Sequence, residues 1–219
     1  NDITIKGVNV RYTLINLIGL HKAISNDFNI SLKTRIDLKS ILRNQITNLS
    51  FYESVGDIGL LLWATSLISP DDLNIIIPKI NFSNILNKFN DARSENTKEL
   101  SWLLIGILMA STFNKTFKSS ISNLPNKLYK VIRNNYGGNG VFKHSANESL
   151  NGKLRSNSGY FADQVYSIYA FVLFSKLMKN EEALLIAEAT AQKICELQGN
   201  SGEWMWHYSV KTGDVICKY

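Results

Sequence analysis

Cysteine and proline are scarce in this 219-residue chain, at 2 and 3 residues. Cys195 and Cys217 form no Cys-x-x-Cys pair, which excludes the usual structural zinc patterns, while a disulfide between them stays open. With so few prolines and only 13 glycines, long helices fit better than many short strands. No apolar run reaches about eighteen residues and no leader-like pattern opens the chain, so no membrane insertion is expected and a cytoplasmic location is. Charge is not gathered on one face. The net charge is +6, yet Lys127, Lys130 and Arg133 are the nearest approach to a basic stripe, and they read as a solvated helix face. No nucleic-acid partner, metal or cofactor is therefore expected. The segment Gly137-Gly138-Asn139-Gly140 lacks the G-x-x-x-x-G-K-[ST] pattern, so it reads as a flexible connection and not a phosphate loop.

What is present is periodic apolar sequence. Hydrophobic residues make up 45% and charged residues 19%, the balance of a globular domain with a sizeable core. Helices are predicted over 10–25, 32–49, 57–68, 81–93, 97–112, 120–135, 161–178 and 181–198. The odd-numbered ones are apolar nearly all round, as in Leu60-Leu61-Leu62-Trp63 and Leu103-Leu104-Ile105. The even-numbered ones carry a single apolar stripe. One layer must then be covered on both sides and the other on one side only, which predicts an inner set of helices wrapped by an outer set. Gly19, Gly59 and Gly106 fall inside the apolar helices, where each costs about 1 kcal/mol relative to alanine unless a neighbouring helix comes close.

Each apolar helix opens on a polar residue. Arg11, Asp57, Glu99 and Asp163 are spaced 46, 42 and 64 residues apart, a degenerate two-helix repeat. Stacked side by side, the four starts would share one rim. There the three carboxylates could act as acid and base, or simply favour the helix N-terminus. Arg11 could clamp an anionic group or pair with Asp57 or Glu99. The tail alternates through Trp204-Met205-Trp206-His207-Tyr208 before a Thr-Gly-Asp turn, which predicts a short β hairpin. Its tryptophans could face a ligand or the core.

Alternating inner and outer helices with polar rims resemble the α/α-toroid group, which includes six-hairpin glycosidases, polysaccharide lyases, sugar epimerases and terpene cyclases. The segments Phe161-Ala162-Asp163-Gln164-Val165-Tyr166 and Gly202-Glu203-Trp204-Met205-Trp206-His207-Tyr208 are similar to those of an uncharacterised bacterial family of that shape. The resemblance implies a ligand seated in a funnel over the inner-helix ends. It points to Asp163, Glu99, Asp57 and His207 for catalysis. For binding it points to Arg11, Tyr12, Trp102, His144, Gln164, Tyr166, Trp204, Trp206 and Tyr208. The expected fold is thus an all-α, incomplete α/α toroid of about four hairpins in a single domain over 1–219, with a β hairpin near the C-terminus and further helices following. The expected function is that of a carbohydrate-active enzyme (hydrolase, lyase or epimerase) with a glycan or small-molecule ligand. An isoprenoid-cyclising toroid lacks its Asp-x-Asp-Asp run here; a helical binding scaffold without chemistry is the other alternative.

Overall fold

The computed structural model describes residues 9–26, 36–47, 52, 54–82, 84–85, 96–121, 123–145 and 157–217. The chain is mostly helical, with a small antiparallel sheet near the C-terminus. In chain order the helices are α1 (Val10–Ser25), α2 (Leu38–Thr47), α3 (Val55–Ile68), α4 (Leu73–Ile76), α5 (Thr97–Phe113), α6 (Lys115–Ser120), α7 (Leu124–Arg133), α8 (Phe161–Met178) and α9 (Glu181–Glu196). The strands are β1 (Ser158–Tyr160), β2 (His207–Ser209) and β3 (Val215–Cys217).

Helices α1, α3, α5 and α8 pack in that order, each against the next. Helix α2 covers α1 and α3, α7 covers α5 and α8, and α9 lies on α8. Burial follows the sequence pattern in α3 and α5 but not in α1 and α8. Helix α1 buries only Leu14, Leu17 and Ile18, and α8 leaves Val165, Val172, Leu177 and Met178 exposed, because described neighbours cover only part of each. Leu60, Leu61 and Leu62 of α3 and Leu103, Leu104, Ile105 and Ile107 of α5 are completely inaccessible. A helix apolar on all sides has to be surrounded, and these two are. Gly59 and Gly106 sit where α3 and α5 cross. A Cβ on Gly106 would strike the carbonyl of Gly59, and one on Gly59 would strike the backbone of Trp102 and Leu103. Gly19 differs from the expectation, because its surroundings are open and no close approach requires it.

Several boundaries differ from the sequence reading. Pro70 ends α3, but the chain continues through helical turns at Pro70–Asp72, Leu73–Ile76 and Ile77–Lys79. The helix predicted over 120–135 starts at Leu124, where Pro125 occupies the first turn without losing a hydrogen bond. Helix α6 precedes it, capped by Asn114, whose side chain accepts from Phe117 N at 2.8 Å. Most of the helix predicted over 81–93, and the ends of the one predicted over 32–49, lie outside the described residues.

The tail is a three-stranded sheet of order β1-β2-β3 and not a lone hairpin. Gly159 stands opposite Tyr208 and Tyr160 opposite His207. The extra strand comes from the far side of the glycine-rich connection, so no local signal announced it. Trp204 and Trp206 precede β2 instead of lying within it. The connection itself is pinned. Gln164 accepts from Phe142 N at 2.7 Å and donates to Phe142 O at 2.9 Å, and Phe142 is wholly buried. That anchor lies just past the glycine run, because the backbone groups of buried Phe142 need fixed partners, whereas Gly137, Gly138 and Asn139 are exposed. Cys195 and Cys217 are not disulfide-bonded. No helix among the described residues is long and apolar enough to cross a membrane.

Candidate functional site

The rim is built by helix caps. The side chains of Asn9, Ser54 and Asn96 cap α1, α3 and α5 by accepting from Tyr12 N, Asp57 N and Glu99 N. Three residues beyond the caps Ser54, Asn96 and Tyr160 stand Asp57, Glu99 and Asp163. That spacing is the capping-box position, where an acid can reach back to the cap. Only Asp163 does so, accepting from Tyr160 N at 2.9 Å. Asp57 and Glu99 turn instead toward Arg11 of α1.

Arg11 Nε donates to Asp57 Oδ1 at 2.7 Å, and Nη2 reaches Glu99 Oε1 at 2.9 Å and Ser54 Oγ at 3.0 Å. The ion pair weighed against a ligand clamp is therefore present, with both acids. Gly56 makes room for it, since a Cβ there would collide with Glu99 and crowd Trp102. Burial alone would lower the Arg11 pKa, but the Asp57 hydrogen bond and the two carboxylate charges outweigh it and leave the pKa raised. Arg11→Met leaves two adjacent carboxylates without their cation. Because the group is partly solvated, the expected loss is about 1–3 kcal/mol, below the full cost of a broken buried pair. Chemical denaturation measures it, and unchanged stability would deny the pairs any role in holding the rim.

Asp163 is 1% exposed and carries a second set of contacts. Oδ1 accepts from Lys98 N at 3.1 Å, tying α8 to α5, and Oδ2 lies 3.0 Å from His144 Nδ1. A carboxylate facing imidazole makes Nδ1 the donor, which leaves Nε2 as the basic nitrogen. His144 also packs edge-on against Tyr160, ring centroids 4.5 Å apart, and Tyr160 lies 4.4 Å from the His207 ring on its paired strand.

A cleft of about 680 Å³ opens over these groups. Arg11, Glu99, His144 and Asp163 contribute its polar lining. Tyr12, Trp204 and Trp206 stand at its edge, the tryptophans 41% and 58% exposed. Met205, between them, is buried, so the tryptophan side of the segment is the open side. Trp204 stacks on Phe161 at 5.2 Å.

Other residues named from the sequence lie elsewhere. Gln164 is spent entirely on Phe142 and on Tyr160 O. Tyr208 is buried in a small cluster with Val141, Ile194 and Met205, beneath the sheet. Trp102 is 2% exposed and does not line the cleft, and Tyr166 stands edge-on to it at 5.1 Å. Asp57 stands behind Arg11, and His207 behind Tyr160. Sequence reasoning missed Lys98, Asn96, Tyr160 and Phe161, all of which line the cleft. The cap-plus-three spacing before Glu99 and Asp163 was the signal that could have found Asn96 and Tyr160. Among the described residues no cluster of three or more His, Cys, Asp or Glu is placed to hold a metal ion.

Two histidines are pushed below their ordinary pKa. For His207 the causes are burial and then the nearby His144, partly offset by Asp163; for His21 the cause is burial. A lowered folded-state pKa means that the unfolded chain binds more protons below the ordinary imidazole value. Stability is then fully present above that value, near 6.5, and falls as the pH drops through it. The melting temperature should decline from about pH 7.5 to about pH 5, and His207→Gln should reduce the decline. An identical slope in the variant would clear His207 of this role.

Comparison with protein-family models, with curated proteins and with solved structures finds no match to the chain.

Proposed function

We propose that this cleft binds a glycan and acts on it by general acid–base catalysis, with His144 moving the proton. One observation carries the reading: a nearly inaccessible carboxylate, Asp163, holds His144 by Nδ1 at the edge of a large cleft flanked by exposed tryptophans. A carboxylate in that position fixes the ring orientation and tautomer and leaves Nε2 for the cleft chemistry. Asp163 has both oxygens committed, so it positions His144 and does not itself react. Glu99 lines the same cleft and supplies the second acidic group. Trp204 and Trp206 offer flat apolar faces of the kind that stack on sugar rings. Direct glycoside hydrolysis calls for two carboxyl groups flanking the bond. An imidazole as the best-positioned proton carrier favours abstraction of a sugar C–H proton, the chemistry of an epimerase or lyase.

The same reading extends to the architecture. The inner helices α1, α3, α5 and α8 are four of the inner members of an α/α toroid, and the cleft is the mouth of its funnel. The convergence of Arg11, Asp57, Glu99 and Asp163 on one rim supports this.

The test is incubation in D2O with neutral, N-acetylated and uronate-containing oligosaccharides, followed by NMR. Deuterium at a ring carbon, or an unsaturated product, is the expected result. New reducing ends without deuterium would move the assignment to hydrolysis. No change in any glycan would end the glycan reading.

A further inference from the structure

We infer that the ligand of this cleft carries an anionic group and that Lys98, not Arg11, receives it. The inference builds on the glycan reading and narrows its substrate class to an acidic sugar.

Lys98 is half-buried in the cleft lining, with Nζ 5.2 Å from the centroid of the Trp102 ring. Among the described residues no carboxylate lies within ion-pair distance of it. The acids that line the cleft are already engaged. Glu99 pairs with Arg11, while Asp163 takes His144 and two backbone amides. Arg11 also rides on Trp102, at 5.4 Å, but it answers to two carboxylates, and its guanidinium already bonds Asp57, Glu99 and Ser54. An anion approaching Arg11 would meet two like charges. At Lys98 it meets an ammonium that no described carboxylate compensates.

Desolvation sharpens the choice. A ligand that fills the cleft strips water from Nζ. A neutral sugar offers only hydroxyl oxygens, which can replace the lost water but leave the charge unneutralised in a drier site, and that is expensive. An oxyanion replaces the lost water with a charge-assisted hydrogen bond. Lysine is a point charge without arginine's planar fork, so it accepts a carboxylate, a phosphate ester or a sulfate ester alike. The shared chemistry is a sugar bearing an oxyanion.

The experiment is an NMR shift titration of the protein with glucuronate, glucose 6-phosphate, glucose and inorganic phosphate. It uses the wild-type chain, Lys98→Met and Lys98→Arg, each checked for an unchanged melting temperature. The wild type should bind an acidic sugar roughly tenfold or more tightly than glucose. Lys98→Met should lose that preference, Lys98→Arg should keep it, and added salt should shrink it. The order of glucuronate and glucose 6-phosphate tells carboxylate from phosphate. Glucose binding as well as either acidic sugar, or a preference that survives Lys98→Met, overturns the inference and leaves the glycan reading standing. Sugars failing while inorganic phosphate binds through Lys98 removes the glycan and keeps the anion site. If no probe binds, the anion site is overturned as well.

Discussion

Exchanging His144 for glutamine should lower kcat/KM on the responsive glycan by about 10²–10⁴-fold, the range for loss of a general acid–base group. Folding should be little affected. The side chain of His144 is 19% exposed, and the backbone bond that its carbonyl accepts from Thr97 N is unaltered by the change. Glutamine can still donate to Asp163 but cannot take up a proton. A loss in kcat with binding retained would place His144 in the chemical step, and turnover at the wild-type rate would remove it from the mechanism. Asp163→Asn should lower activity too, with a different signature. The amide NH2 would face one of three donors, Lys98 N, Tyr160 N or His144 Nδ1. A buried donor left without an acceptor costs about 1–3 kcal/mol, so this variant should lose stability where His144→Gln does not.

Gly106→Ala and Gly59→Ala should each destabilise the fold by about 3 kcal/mol, near the top of the range for overpacking a close contact. The atoms they would meet are backbone on both sides: Gly59 for the first, Trp102 and Leu103 for the second. No side chain can rotate aside, so α3 and α5 must separate along a crossing lined by Leu60, Leu61, Leu103 and Leu104. Alanine returns at most about 1 kcal/mol of helix propensity. A melting-temperature drop of about 6–12 °C follows for a domain of this size. Gly19→Ala is the internal control. Its surroundings are open, so the propensity gain has no opposing term, and the variant should melt at or above the wild type. A Gly106→Ala protein that melts no lower than the wild type would mean that α3 and α5 do not meet as closely as described.

The regularities legible in the sequence are local ones. Helix period marked α1, α3, α5 and α8 as apolar all round, and their flanks supplied the caps. Where an acid follows a cap by three residues, as at Ser54/Asp57 and Asn96/Glu99, chain geometry alone puts it at the helix start. Scarce proline and a lack of long apolar runs bounded the class.

Tertiary packing decided how each polar end is spent. Asp57, Glu99 and Asp163 occupy equivalent local positions, yet two serve Arg11 and one serves His144. Arg11 and Asp57 lie 46 residues apart, and no local period encodes which charge meets which. The same holds for the aromatic tail. The two-residue alternation does not survive: Met205 and Tyr208 fall on opposite sides by that count, yet both are buried while Trp204 and Trp206 stay in the open, because the strand begins only at His207. Strand β1 became a strand only because β2 lay alongside to bond it. Periodicity depends on neighbours a few residues away, whereas ion pairs, burial and sheet edges depend on residues that only folding brings together.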